Sequence, residues 1–338
     1  MTSGERRERL EKTSSFFRLS PFSLLLVCAL GPLLGTAASA QPYPSRPLRI
    51  VSPFSAGGNS DIVGRLLAPK LAERLGQNVI VENRPGAGGM IGTAYVVRAT
   101  PDGHTMLAMS GAFTAVAATV ARLPYDPVRD FSWVTMIVTY PFVVVVKNDS
   151  PVKTVGQFIA AAKHSPGKLA YGSVGTGSVF HLAAELFNTM ARTEMTHVPY
   201  KGGGEPTAEL MGGRLDVIFT TLTGAYGHIE AKRVRPIAVT SGRRAPQLPD
   251  VPSVAETLPG YEVTSFLAVA GPRGVPAPVV ARLNREYHAV LALPDIRQRL
   301  TASGGEVRPG TPAELAHHVT DEIAKWKRVV AEKKIEVQ

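Results

Sequence analysis

The chain has 338 residues, 37 basic and 27 acidic side chains, a formal charge of +10 and one cysteine, Cys28. Its basic residues are scattered, with no Lys/Arg run and no aromatic interleaving, which argues against nucleic acid and leaves either an ordinary soluble basic protein or a surface that favours anionic small molecules. A single cysteine allows no internal disulfide and no thiolate metal site.

Residues 1–40 read as an export signal. Arg6, Arg7, Arg9, Lys12 and Arg18 form a basic start, Phe22 to Leu34 an apolar core, and Ala38-Ser39-Ala40 a small-residue cleavage pattern. The apolar core is too short for a spanning helix. The residues around Arg6-Arg7 do not support a twin-arginine signal, and Val27 is too bulky for a lipoprotein site at Cys28. Cleavage is expected after Ala40, in the periplasm, and Cys28 leaves with the signal. The remaining chain of about 300 residues is long enough for two lobes, each with its own core. It keeps a formal charge of +8, since five basic and three acidic side chains leave with residues 1–40.

Leu48 to Val51 is a short apolar run of strand type. The turn Phe54-Ser55-Ala56-Gly57-Gly58-Asn59-Ser60-Asp61 follows it. Ile62, Val63, Leu66, Leu67, Leu71 and Leu75 then recur at helical spacing up to Gly76. Asn59 or Ser60 suits the N-cap, Asp61 suits the positive end of the helix dipole, and Pro69 should kink or end the helix early. Further strands are read at Asn78–Val81, Thr105–Met109, Val143–Val146, Leu169–Gly172, Asp216–Thr220 and Pro236–Thr240. Thr154 to Gln157 and Thr311 to Glu314 are capping boxes, the second opening a long amphipathic C-terminal helix. A helical stripe runs from Val179 to Met190. Strands alternating with helices predict an α/β fold with mostly parallel sheets.

Three glycine turns each follow a strand and precede a helix: Ala56-Gly57-Gly58-Asn59, Gly175-Thr176-Gly177-Ser178 and Tyr200-Lys201-Gly202-Gly203-Gly204. Main-chain N–H groups at helix N-termini hold a carboxylate or phosphate without a buried arginine. Each turn also fits a plain βα connection with no ligand. Thr176 or Ser178 suits the cap of the following helix. His181 either borders a ligand or only fixes the turn. Tyr200, Phe54 and Phe113 read equally well as packing or as pocket walls. Catalytic patterns are absent: there is no Gly-x-Ser-x-Gly elbow, no P-loop, and Phe180 stands where a dinucleotide fingerprint needs its third glycine. His317-His318 point to different helix faces and read as a solvated face, not as metal ligands. No catalytic residue, metal or cofactor is expected.

The segments Pro53 to Asp61 and Glu82-Asn83-Arg84-Pro85-Gly86-Ala87-Gly88-Gly89 resemble the Bug receptors, the substrate-binding receptors of tripartite tricarboxylate transporters. Leu123 to Pro127, Gly175 to Ser178, His197 to Gly204, Gly212 to Asp216 and Leu248 to Ser253 continue the resemblance in order. It implies a two-lobed periplasmic binding protein fold of type II kind, with the ligand cleft between the lobes. The chain would cross near Thr139-Tyr140-Pro141 and Thr264-Ser265-Phe266. Lobe one would hold 41–139 plus 264–338, and lobe two 140–263. A ligand carboxylate would sit between Phe54, Ala56, Gly57, Gly58 and Asn59 on one side and Thr176, Gly177, Ser178, Tyr200 and Gly202 on the other, with Ser110 as a further candidate. Thr220-Thr221 stand where many relatives carry an acidic or amide pair, which puts recognition of an amino group in doubt.

The function so implied is an extracytoplasmic solute receptor, a monomer, that closes on a small carboxylate and delivers it to integral-membrane transporter subunits. A sensory module feeding a signalling partner needs no different residues. An exported hydrolase would need a nucleophile and base within hydrogen-bond reach.

Overall fold

The computed structural model describes residues 43–200, 204–302 and 304–335. The export signal, its cleavage point after Ala40, and Gly202 lie outside the described residues. Two mixed sheets share one long strand. In the first sheet, β1 (Leu48–Ser52) pairs in parallel with β2 (Val79–Asn83) and β3 (Thr105–Ser110). Strand β4 (Phe131–Lys147) is 17 residues long. In the second sheet, β5 (Ala170–Ser173) pairs in parallel with β6 (Thr196–Pro199) and β7 (Val217–Thr221), while β8 (Val234–Val239) runs antiparallel to β4. Strand β9 (Thr264–Pro272) lies antiparallel to both β3 and β4, and β10 (Glu306–Val307) pairs with Thr139 and Val138. Parallel pairing therefore holds among β1 to β3 and among β5 to β7, as strands alternating with helices require. The long strands make both sheets mixed.

Strand β4 changes sheets in mid-course. Phe131 to Pro141 pair with β9, and Phe142 to Val145 pair with β7. Pro141 has no N–H to give a ladder, and it stands at the junction where the strand changes partners. Thr240 fastens this junction. Its fully buried hydroxyl accepts from Phe142 N–H at 2.9 Å and donates to Val263 C=O at 2.6 Å, so one side chain holds both connecting segments.

Among the described residues ten helices cover the sheets: α1 (Asn59–Leu75), α2 (Met90–Val97), α3 (Gly111–Thr119), α4 (Val155–His164), α5 (Val179–Ala191), α6 (Glu205–Met211), α7 (Leu222–Glu230), α8 (Ala277–Leu291), α9 (Pro294–Ala302) and α10 (Pro312–Glu332). Helix α1 does not end at Pro69. It runs on to Leu75, since losing one backbone hydrogen bond is outweighed by the burial of Leu67, Leu71 and Leu75 on the same face. The N-cap is Gly58, with no side-chain cap bond, and not Asn59 or Ser60. Ser60 Oγ is occupied by Ser52 Oγ at 2.8 Å. Both capping boxes place a helix start: Thr154 accepts from Gln157 N–H, and Thr311 and Glu314 satisfy each other's backbone.

Two helices belong to both cores. In α10, Leu315, Val319 and Ile323 pack with Phe266 and Ala268 of the first sheet, while Trp326, Val329 and Val330 pack with Phe142 and Val144 of the second. In α3, Phe113 and Ala117 join the first cluster and Ala115 and Ala118 the second. Helix α3 has no charged side chain, and even Thr114 and Thr119 are buried, so it can lie between the two lobes.

Candidate functional site

Helix α3 connects the first two glycine turns. Near its start, Phe54 of the first turn lies with Ser110, Phe113 and Val116 around a small apolar pocket. At its end, Thr119 abuts the second turn: a Cβ on Gly177 would sit 3.0 Å from Thr119 Cβ and Oγ1. A nine-residue helix spans about 13 Å, which sets the scale of the separation between the turns.

The two turns are built alike. In each, a glycine one residue before the N-cap takes positive φ, +82° at Gly57 and +77° at Gly177. In each, the third residue of the helix reaches back and accepts that glycine's N–H. Asp61 Oδ2 takes Gly57 N–H at 2.9 Å, and His181 Nδ1 takes Gly177 N–H at 3.1 Å. Each anchor is held in turn. Arg65 Nε donates to Asp61 Oδ1 at 2.9 Å, and this guanidinium, with the Gly57 N–H, holds the Asp61 carboxyl below the usual range. Arg65 also reaches Asn83 Oδ1, whose amide donates to Phe54 C=O at 3.0 Å.

Behind the second turn, His181 stacks on His197 with centroids 4.0 Å apart. His197 Nε2 bonds Ser173 Oγ at 2.6 Å, and Ser173 Oγ accepts from Gly175 N–H at 3.1 Å. Tyr171 stacks on His197 and donates to Glu185 Oε1 at 2.6 Å. Burial pushes both histidines down to about 4 and pushes the Tyr171 hydroxyl far up. Both rings are therefore uncharged at neutral pH, as Nδ1 of His181 must be to accept a proton. His181 fixes the turn. Ser173 and His197 stand at nucleophile–base distance, but the serine is fully buried, and its oxygen is engaged by the turn itself.

These anchors decide which donors remain. Gly57 and Gly58 N–H are both taken, the latter by Ser55 C=O at 3.2 Å. Among the described residues, no protein acceptor meets the N–H of Ala56 or Asn59, and both residues are exposed. Ser178 caps α5, accepting from His181 N–H and donating to Gly175 C=O, so its hydroxyl is committed. Exposed Thr176 makes no such bond among the described residues. Ser110 precedes α3 without a side-chain cap bond. The start of α3 was missed in the sequence, although Ser110-Gly111 after an apolar strand is a cap signal. Tyr200 N–H donates to Ser173 C=O at 2.9 Å, and its half-buried ring packs with the core beside β7. Thr221 caps α7 by accepting from Gly224 N–H, and Thr220 is buried on β7. His317 is exposed, whereas His318 is half-buried and meets Phe266 edge-on, which corrects the expectation of a solvated pair. Among the described residues no His, Cys, Asp and Glu cluster has the geometry of a metal site, and no helix is long and apolar enough to cross a membrane.

Residues 63–335 match the family model described as tripartite tricarboxylate transporter family receptor. The chain is 32% identical over 315 residues to the protein BugT of Bordetella pertussis, covering 91% of this chain and 97% of that one. It superposes on the structure of Rpa4515 from R. palustris with adipate at a TM-score of 0.75, with 36% identity over 86% of this chain and 97% of that one. MatC from Rhodopseudomonas palustris with bound malate gives a TM-score of 0.72 and 33% identity over 85% of this chain and all of the other.

Proposed function

Because the chain belongs to the tripartite tricarboxylate transporter family of receptors, and is a solute receptor and not an enzyme, we propose that it captures a dicarboxylate between its lobes and delivers it to the membrane subunits of such a transporter. The carrying observation is the pair of like-built glycine turns at either end of α3. Two donor groups about one helix length apart suit a ligand with an anionic group at each end. Ala56 and Asn59 N–H supply one group of donors, with Gly57 and Gly58 shaping the turn and Phe54 walling it. Thr176 supplies the other, with Gly177 and Ser178 shaping the turn. Ser110 and Tyr200 border the ligand, and Gly202 is a further candidate for contact with it. Thr220 and Thr221 stand on β7 where many relatives carry an acidic or amide pair, and without that pair an anionic ligand is favoured over an amino acid. That the relatives' structures hold adipate and malate supports the same class.

The lobes are assigned as 41–139 plus 264–338 and 140–263. The site of action is the periplasm, after cleavage behind Ala40, and the receptor works as a monomer. Titration calorimetry with adipate, malate, tricarboxylates, acidic amino acids and neutral sugars tests the reading. At least one dicarboxylate should bind saturably. Binding of sugars alone would reject it.

A further inference from the structure

Strands β1, β2 and β3 run parallel, so the ends opposite the glycine turn lie together on the far side of the first sheet. A groove of about 760 Å³ runs along these strands, from their starts to Arg84 just past the end of β2, lined by Arg49, Arg84, Arg98, Ile80, Ile91 and Tyr95. Arg49 and Ile80 are direct neighbours across the β1–β2 pair. Ile80 is 51% exposed and Ile91 56%, two of the three large apolar side chains so exposed among the described residues. Both fall in one basic groove, which singles it out from scattered surface apolar residues.

The guanidinium groups are held in place. Arg84 lies 3.6 Å over the Tyr95 ring, and Arg49 Nη1 donates to Tyr95 Oη at 3.0 Å. Both share Glu82, at 3.0 Å from Arg49 and 2.6 Å from Arg84. Exposed Arg98 has no ion-pair partner among the described residues. Four guanidinium groups line it, counting Arg46, against two carboxylates, Glu82 and the Asp102 that pairs with Arg46, which leaves the groove positive. Strand β2 ends the sheet, and its outer edge is unpaired among the described residues.

We propose that this groove docks an extended, acidic segment of a partner protein that lies along β2. Its carboxylates would meet the arginine forks, which suit planar bidentate pairing. Its apolar side chains, alternating with the acidic ones at the strand period, would cover Ile80 and Ile91. A concave site with guanidinium groups held flat by Tyr95 and Glu82, and with no lysine in its lining, fits a peptide better than the flat face of an anionic membrane.

The test uses the whole receptor and a labelled short peptide of alternating glutamate and leucine, read by fluorescence anisotropy at low and high salt. A peptide of alternating lysine and leucine and phosphatidylglycerol vesicles are compared in parallel. The acidic peptide should bind saturably and more weakly at high salt, and Arg98→Glu or Ile80→Ser should weaken it by about tenfold. Both replaced residues are exposed, and unchanged dicarboxylate binding would show that the fold is intact. Equal binding of the lysine peptide, binding of vesicles but not of the acidic peptide, or variants that bind like the wild type would each overturn the proposal.

Discussion

Acid should loosen the second turn in a defined window. Burial holds His181 and His197 near 4, against 6.5 in an unfolded chain. Both folded values are depressed, so the unfolded chain takes up these protons first. The stabilisation from neutral, buried rings is therefore complete above 6.5 and declines as pH falls from 6.5 to about 4. For His181 the shift corresponds to roughly 3 kcal/mol. His197, only half-buried, contributes less because solvent screens it. Protonation also removes the Nδ1 acceptor of Gly177 N–H, so the turn itself should open. Depressed carboxyls such as Asp61 begin to lose their contribution as pH falls through the ordinary carboxylate range, so they overlap only the lower end of this window. His318 falls in the same window, so a control is needed. His181→Asn keeps an oxygen acceptor near Gly177 but does not titrate. Urea unfolding at several pH values between neutral and 4 should give the wild type a clearly steeper loss of stability than the variant. Equal slopes, or an NMR titration placing His181 near 6.5, would refute the reasoning.

Gly58→Val should weaken dicarboxylate binding with a modest loss of stability, since Gly58 has an ordinary φ of −71° and a new Cβ would lie 3.2 Å from Ser55 C=O; calorimetry and thermal unfolding read the two effects separately. Gly177→Ala should cost about 1–2 kcal/mol, because φ is +77° and Thr119 leaves no room, and should lower affinity by about tenfold. Thr240→Val leaves Phe142 N–H and Val263 C=O without their buried partner. The expected cost is about 3 kcal/mol by denaturation, and a loss below about 0.5 kcal/mol would contradict the role given to this hydroxyl.

Much of the site's frame was legible because glycine turns and caps are local signals. Strands β1, β3 and β5, the Thr154 and Thr311 caps and the turn around Ser178 follow from short-range patterns. What escaped depends on distant partners. Only Val143 to Val146 of β4 looked like a strand, because Pro141 interrupts the run; nothing local says that the proline falls where the strand changes sheets. Helix α3 has no polar face to give a period, since both cores surround it. Pro69 looked like a breaker, and the packing of Leu71 and Leu75 overrides it. The commitment of Gly57 N–H to Asp61, and of Gly177 N–H to His181, depends on side-chain direction, which spacing alone does not give. The donors that remain, at Ala56, Asn59 and Thr176, differ for that reason from the glycines that first draw attention.

The most direct test is a crystal structure of the receptor with the dicarboxylate that calorimetry selects. One ligand carboxylate should lie within hydrogen-bond distance of Ala56 or Asn59 N–H, and the ligand should also contact Thr176 across the cleft. A dicarboxylate bound away from both turns, or touching only one of them, would contradict the account.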